Sequence, residues 1–263
     1  MAVAQHHVSL QNISHVFQDD GRRNGGLTAL QDVSFSVPAG QFLSILGPSG
    51  CGKSTLLRII GGLLRPSLGD VAIEGQAPAR AQERREIGLV FQDPALFAWR
   101  TVLQNVKLPL EIAGSRNGSS RIDPDSLLGL VGLTQFRDYY PHQLSGGMQQ
   151  RVAIARALAF DPSLLLMDEP FGALDEITRS QMRYELLHIW SSAAERKSVL
   201  FVTHSITEAL AMSDRVIVLS GRPGRIIGDI EIELDRPRTI EVERSPAFLD
   251  YTDHLRGLLE VPA

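Results

Sequence analysis

Gly47-Pro48-Ser49-Gly50-Cys51-Gly52-Lys53-Ser54 fits the pattern G-x-x-x-x-G-K-[ST] at every fixed position. The chemistry open to such a stretch is the holding of phosphate. Its glycines let backbone N–H groups turn inward as an anion nest, and a helix starting near Lys53 adds its positive end. Lys53 then reaches the β- and γ-phosphates of ATP, the Ser54 hydroxyl ligates Mg2+, and Thr55 continues into the helix. A Gly-rich turn without a ligand would account for the glycines alone. The apolar strand Phe42–Leu46 before the loop and the helical spacing after it favour the phosphate cradle. Cys51, the single cysteine, fills an unconstrained position where its backbone N–H is what matters. A redox thiol is the weaker reading, although a helix N-terminus lowers a thiol pKa. A bulky thiol reagent is expected to block the loop.

A second place for phosphate chemistry lies far along the chain. Leu164-Leu165-Leu166-Met167-Asp168-Glu169-Pro170 is an apolar strand ending in two acids. Charge at the end of a buried strand is costly unless something pairs it. Mg2+ would pair Asp168, and Glu169 would then face the γ-phosphate and orient the attacking water as general base. A strand that merely ends in solvent with two acids is the alternative, and the phosphate loop disfavours it. Leu144-Ser145-Gly146-Gly147-Met148-Gln149-Gln150-Arg151 opens an apolar helical run. A serine and two glycines at a helix start make another anion nest, or a plain cap. One ATP uses one phosphate loop, so the second nest leaves open which phosphate it serves.

Taken in order, Gly47–Ser54, Gln92, Ser145-Gly146-Gly147-Met148-Gln149, Asp168-Glu169, Ala173-Leu174-Asp175 and His204 resemble the motif series of the ATP-binding subunits of ABC transporters. The resemblance runs from about residue 8 to 220, and the Ser-Gly-Gly signature is specific to that family. It implies that two copies sandwich two ATPs head to tail, an isologous dimer in which the signature of one chain caps the γ-phosphate held by the loop of the other. It implies further roles. Phe17 stacks on adenine, and Gln92 touches Mg2+ and the attacking water. Asp175 steadies the partner's phosphate loop, and His204 hydrogen-bonds the γ-phosphate. Ser205 follows His204 where Asp is usual.

Four further segments are similar to the nitrate/sulfonate/taurine importer group: Phe91–Val102, Tyr140–Leu144, Phe171–Arg179 and Arg222–Ile226. Phe97-Ala98 stands where Leu-Pro usually precedes the tryptophan. The resemblance implies separately encoded membrane permeases, a separate solute-binding protein and a place on the cytoplasmic face of the inner membrane. Trp99 is either a packed core aromatic or part of a partner-facing surface.

These residues have to be positioned by a core, and 263 residues, 43% of them hydrophobic, suffice for one. Val8–Phe17 and Leu30–Val37 read as strands, with Val33, Phe35 and Val37 on one face. The polar stretch Gln18–Gly26 separates them as a turn. Thr55–Leu64 reads as a helix stopped by Pro66. Residues 88–160 read mostly as helices, broken by a loop at Gly114–Ser120. From Leu164 onward strands alternate with helices: Leu164–Met167, a helix from about Thr178 to Glu195, Val199–Val202, Ile206–Met212 and Arg215–Leu219. That alternation predicts a parallel, helix-covered sheet. Arg225–Leu234 reads as a half-exposed strand and Ala247–Leu259 as a terminal helix.

The expected fold class is α/β. A P-loop nucleotidase core with a mostly parallel sheet carries an antiparallel β subdomain and an inserted helical subdomain at 88–160. The cassette spans 8–240, with a short extension at 241–263. A net charge of −4 argues against a nucleic-acid partner. One cysteine permits no internal disulfide and suits a reducing compartment. The first residues have neither the basic nor the apolar region of a secretory signal, and no apolar run approaches the ~20 residues that cross a bilayer. His6 and His7 read as solvated rather than as a metal site. Two other readings compete: a soluble ABC ATPase on ribosomes or DNA, and an exporter cassette. The former lacks its usual second cassette or charged linker, and the segment Arg222–Ile226 disfavours the latter.

Overall fold

The computed structural model describes residues 6–18, 26–113, 122–172, 174–192 and 197–260. The expected loop at 114–120, most of the one at 18–26, Ala173 and the end of the helix expected to reach Glu195 lie outside them. Two compact units emerge, Met1–Gln82 with Ser198–Ala263, and Glu83–Lys197. The chain opens with β1 (His6–Phe17), β2 (Leu27–Pro38), β3 (Phe42–Leu46), α1 (Lys53–Ile60), β4 (Leu68–Ile73) and α2 (Pro78–Glu83). Then come β5 (Ile87–Val90), α3 (Val102–Ala113), α4 (Pro124–Leu130), α5 (Gly146–Leu158), β6 (Leu164–Asp168) and α6 (Glu176–Ser192). It ends with β7 (Ser198–Thr203), α7 (Ile206–Met212), β8 (Arg215–Leu219), β9 (Ile226–Glu231), α8 (Ile240–Glu243) and α9 (Pro246–Glu260).

In the first unit, β3 lies between β7 and β8, parallel to both, and β9 closes the edge antiparallel to β8. Every residue of β3 and β7 is buried, as expected of parallel strands covered on both faces. A separate antiparallel sheet has the order β2-β1-β4. Its alternation changes phase midway: Val8 and Leu10 are buried, then Ile13 and His15. Asn12 and Asp32 explain the slip. Both adopt positive φ, and the Asn12 amide donates to the Asp32 carboxylate at 2.8 Å. These bulges insert a residue and flip the face.

Several expectations are corrected. The first helix is Lys53–Ile60, not Thr55–Leu64. Gly61 and Gly62 end it in a Schellman motif, with Gly62 N–H on Ile59 O and Leu63 N–H on Arg58 O, and Gly62 in the left-handed region. Pro66 plays no part. β2 starts at Leu27 rather than Leu30, and β4 and α2 were not anticipated. His7 is not solvated: it is buried, with Nδ1 2.6 Å from the Ser198 hydroxyl.

The last helix is tied into the first unit's core. Phe248 and Leu255 of α9 are buried with Leu46, Leu210, Val216, Val218 and Ile232. Arg238, buried, spans the gap to α7. It donates to the carbonyls of Leu210 at 2.7 Å, Ser213 at 2.5 Å, Ile232 at 3.1 Å and Leu234 at 3.1 Å. Burial lowers its pKa to about 10, so it stays charged at neutral pH and fully able to donate.

In the second unit, β5 and β6 form a parallel pair, Ile87 beside Leu164 through Val90 beside Met167. α3, α4 and α5 pack on one another around Val102, Val106, Leu127, Leu128 and Val152. Among the described residues no helix is long and apolar enough to cross a membrane.

Candidate phosphate-binding and catalytic residues

The phosphate loop leaves β3 at Gly47 and enters α1 at Lys53. Gly50 has φ 76° and Gly52 φ 108°, values that side chains disfavour. A Cβ on Gly52 would also stand 2.7 Å from Leu30 Cδ2 and 2.8 Å from the Ala29 carbonyl. Pro48, Ser49 and Gly50 are exposed at the loop tip, whereas Gly47 and Cys51 are buried. Ser54 and Thr55 are half-buried in the first turn of α1. The Lys53 ammonium is buried and donates to the carbonyls of Gly47 at 2.8 Å and Pro48 at 2.9 Å. A cation is thus held inside the curve of the loop. Cys51 is 1% exposed and its sulfur is turned toward Gly47. The expectation that a thiol reagent blocks the loop is therefore corrected: reagent reaches this sulfur only if the loop opens.

Just past the end of β6, two polar side chains of the second unit meet near Gly172. Asp168, buried, ends β6. Glu169 follows with φ 43°, a conformation that costs a non-glycine residue ~1–3 kcal/mol and clusters at functional sites. The Gly172 N–H donates to the Glu169 carbonyl at 3.0 Å. A Cβ on Gly172 would meet Gln92 Nε2 at 3.3 Å and Glu169 Oε2 at 3.7 Å. The Gln92 amide and the Glu169 carboxylate therefore flank the same bare Cα. Sequence reasoning did not single out Gly172; the only signal was its place just after the paired acids.

Ser145 is the N-cap of α5 and its hydroxyl accepts from the Met148 N–H at 3.3 Å. Ser145 and Gly146 are exposed, and a Cβ on Gly146 would meet nothing within 4 Å. Gly147 differs: its Cβ would lie 2.8 Å from Thr178 Cγ2, so it lets α5 approach α6. Gln149 turns its amide back onto the Pro141 carbonyl at 3.0 Å. Further along α5, Gln150 Nε2 donates to the Phe91 carbonyl at 3.2 Å. Arg156 donates to the carbonyls of Ala95 at 2.9 Å and Pro94 at 2.6 Å. The helix that starts at Ser145 thereby holds the chain on both sides of Gln92.

Asp175 precedes α6 and accepts from the Thr178 N–H at 3.0 Å. Hydrogen bonds from the Thr178 side chain and backbone hold its carboxyl below the ordinary value. His204 is exposed at the end of β7. Ser205 caps α7, accepting from the Glu208 N–H at 3.3 Å, a task Ser and Asp perform equally well. Phe17 ends β1 with its ring 41% exposed, edge-on to His15 at 4.6 Å. Trp99 is 73% exposed and packs edge-on against Phe97 at 5.0 Å, so the core reading for Trp99 is set aside.

A family model described as ABC transporter matches residues 30–172. The chain is 46% identical to an uncharacterized ABC transporter ATP-binding protein of Methanocaldococcus jannaschii, over 96% of this chain and 91% of that one. A taurine import ATP-binding protein of Rhizobium johnstonii is 45% identical over 88% of each chain. A nitrate import ATP-binding protein of Synechocystis sp. is 42% identical over 96% of this chain and 95% of that one. Among solved structures, the dimeric post-hydrolysis state of an ATP-binding cassette bound to ADP and Pi has a TM-score of 0.73 at 34% identity, covering 86% of this chain and 99% of that one. With a phosphate loop that cages a lysine, and acids at the end of a buried strand, the chain belongs to the ABC transporter family, as an ATP-binding and ATP-hydrolysing subunit.

Proposed function

We propose that this subunit energises the import of sulfonate, taurine, nitrate or a related small solute, working with membrane permeases and a separate solute-binding protein at the cytoplasmic face of the inner membrane. The similarity to taurine and nitrate import ATP-binding proteins carries this reading. The cassette is 8–240 with the helical insertion at 88–160, and 241–263 is its extension. Two copies close head to tail, and the dimeric state of the solved relative supports the pairing of two cassettes. Gly47–Thr55 of one copy wrap the phosphates, and Ser145, Gly146, Gly147 and Gln149 of the other cap the γ-phosphate. Phe17 stacks on adenine, a contact worth on the order of 1–3 kcal/mol.

Ser54, Gln92 and Asp168 offer a hydroxyl, an amide oxygen and a carboxylate, the hard oxygen donors that suit Mg2+, which takes its other ligands from phosphate and water. When bound by these residues, Mg2+ would supply positive charge against the charge that develops on the phosphates during transfer. Glu169 takes the proton of the attacking water, and Gln92, held beside it across Gly172, orients that water. His204 donates to the γ-phosphate, and Asp175 steadies the partner's loop.

Because each site is completed by the second copy, specific ATPase activity should rise with protein concentration across the dimerisation range. Activity independent of concentration would count against the sandwich. Uptake of labelled taurine, another sulfonate and nitrate by cells with and without the chain tests the import reading. Unchanged uptake of all three, with the chain co-sedimenting with ribosomes, would replace it with the soluble ATPase reading.

In this proposal Gln92 and the segment following it couple hydrolysis to a permease, with the contact near Phe97–Arg100. Buried Asn105 staples that segment: Oδ1 accepts from the Phe97 N–H at 2.8 Å, and Nδ2 faces the carbonyls of Phe97, Arg100 and Thr101 at 3.0–3.2 Å. Asn105→Ala leaves these groups unsatisfied at a cost of ~1–3 kcal/mol. Hydrogen exchange at 97–101 should quicken and coupled transport fall severalfold, with the ATPase activity of the isolated chain retained. Intact transport in this variant would sink the assignment.

A further inference from the structure

Ser220–Arg225 joins β8 to β9, and the nucleotide reading gives it no task. Within the first unit it lies against the phosphate loop. Arg222 donates twice to one acceptor, the Gly50 carbonyl, from Nε at 3.2 Å and Nη2 at 3.0 Å. Gly224 presses on the next peptide: a Cβ there would stand 2.2 Å from the Cys51 carbonyl oxygen.

The turn has its own anchors. Gly224 N–H donates to Ala29 O at 2.9 Å, and its carbonyl accepts from Gln31 N–H at 3.0 Å. Arg225 donates to Gln31 Oε1 from Nε at 3.2 Å and Nη2 at 2.6 Å. The Ser220 hydroxyl accepts from the Arg225 N–H at 3.0 Å and donates to the Pro223 carbonyl at 3.0 Å.

A peptide is a planar unit whose N–H and C=O point opposite ways. Turning the carbonyls of Gly50 and Cys51 toward the turn aims the N–H groups of Cys51 and Gly52 away from it. The loop's own sequence does not secure that polarity, because glycines at 50 and 52 adopt both signs of φ readily and permit either peptide to rotate. A rotated peptide would present a carbonyl to an anion in place of a donor. The Cys51 N–H itself lies 3.3 Å from the Pro48 carbonyl, long for a hydrogen bond and open to a better acceptor.

We propose that Ser220–Arg225 is a positioning element for nucleotide binding, in which Arg222 and Gly224 hold two phosphate-loop peptides with their carbonyls outward so that the nest is formed before ATP arrives. This rests on the proposed placement of the phosphates in that loop. Preorganisation of this kind improves binding by removing an ordering cost. It acts on ground and transition states alike, so it moves KM rather than kcat.

The test compares the full chain with Arg222→Ala, Arg222→Lys, Gly224→Ala and Lys53→Ala, measuring ATP and ADP affinity, KM and kcat. Arg222→Ala should weaken both nucleotides about tenfold, the scale of one hydrogen bond's net worth. KM should rise with kcat nearly unchanged and no shift in the melting temperature of the nucleotide-free protein. Arg222→Lys should recover part of the loss. Gly224→Ala should weaken binding with no change of charge. The loss should persist at ~0.5 M salt, where attraction between exposed charges is screened. Affinity within twofold of the parent in Arg222→Ala, or a loss that disappears in salt, overturns the positioning role. Undiminished binding in Lys53→Ala overturns instead the placement of the phosphates.

Discussion

Glu169→Gln should halt turnover and leave the protein as a stable, ATP-loaded dimer. The amide cannot accept the proton of the attacking water, and removing a general base slows such reactions by ~10²–10⁴. Everything else about the residue is kept. Gln matches Glu in length and retains the neighbour relation across Gly172, where Glu169 Oε2 and Gln92 Nε2 lie 3.7 and 3.3 Å from the same projected Cβ. The left-handed backbone at φ 43° is a property of the turn after β6 and not of the side-chain charge. ATP then binds, the two copies close, and the step that would part them does not occur. Sizing chromatography with ATP should show the variant as a dimer and the parent mostly as a monomer, and ADP should not hold the variant together. A variant that elutes as a monomer with ATP, or that hydrolyses at the parent rate, refutes the role of Glu169.

Lys53→Ala should abolish measurable nucleotide affinity while leaving the fold intact. The ammonium, 4% exposed, now satisfies itself on the carbonyls of Gly47 and Pro48. Triphosphate offers it charged oxygens in place of neutral carbonyls, and each such charge-assisted bond contributes ~1.5–3 kcal/mol. Two of them correspond to a loss on the order of 10²–10⁴ in affinity. The cost to folding is smaller, because Pro48 is exposed and water replaces the lost donor there. Calorimetric titration with ATP, beside a melting curve, separates the two effects. Tight binding with normal melting would remove Lys53 from the site.

The glycines of the phosphate loop were legible because the backbone there favours them. Glycine is the residue best suited to φ 76° and 108° at positions 50 and 52, so the presence of the loop shows in the sequence. Buried strands such as β3, β6 and β7 were equally plain, since covered parallel strands read as near-continuous apolar runs. What escaped was set by geometry between segments. The phase slip in β1 hangs on Asn12 meeting Asp32 across the sheet. The end of α1 was assigned to Pro66 because proline is a louder signal than Gly61-Gly62, although a Schellman closure stops a helix sooner. β4 went unread because Gly69 and Asp70 dilute its pattern. Gly172 went unremarked because only the structure brings Gln92 Nε2 and Glu169 Oε2 to the one place its Cβ would occupy. Trp99 was balanced between core and surface, which composition alone cannot decide.

α5 has a thermodynamic consequence. Its 13 residues form a rod of about 20 Å, with Ser145 at one end and Arg156, clamped on Pro94 and Ala95, near the other. In the proposed assembly the first end meets the partner's nucleotide, and the clamped segment leads to the permease surface at Trp99. Two binding events then bias the pose of a single rigid body. Linkage makes the bias mutual: whatever factor permease docking applies to ATP-driven dimer closure, closure must return to docking. Loosening the Arg156 clamp should reduce both factors together, so the helix sets one coupling constant for traffic in either direction.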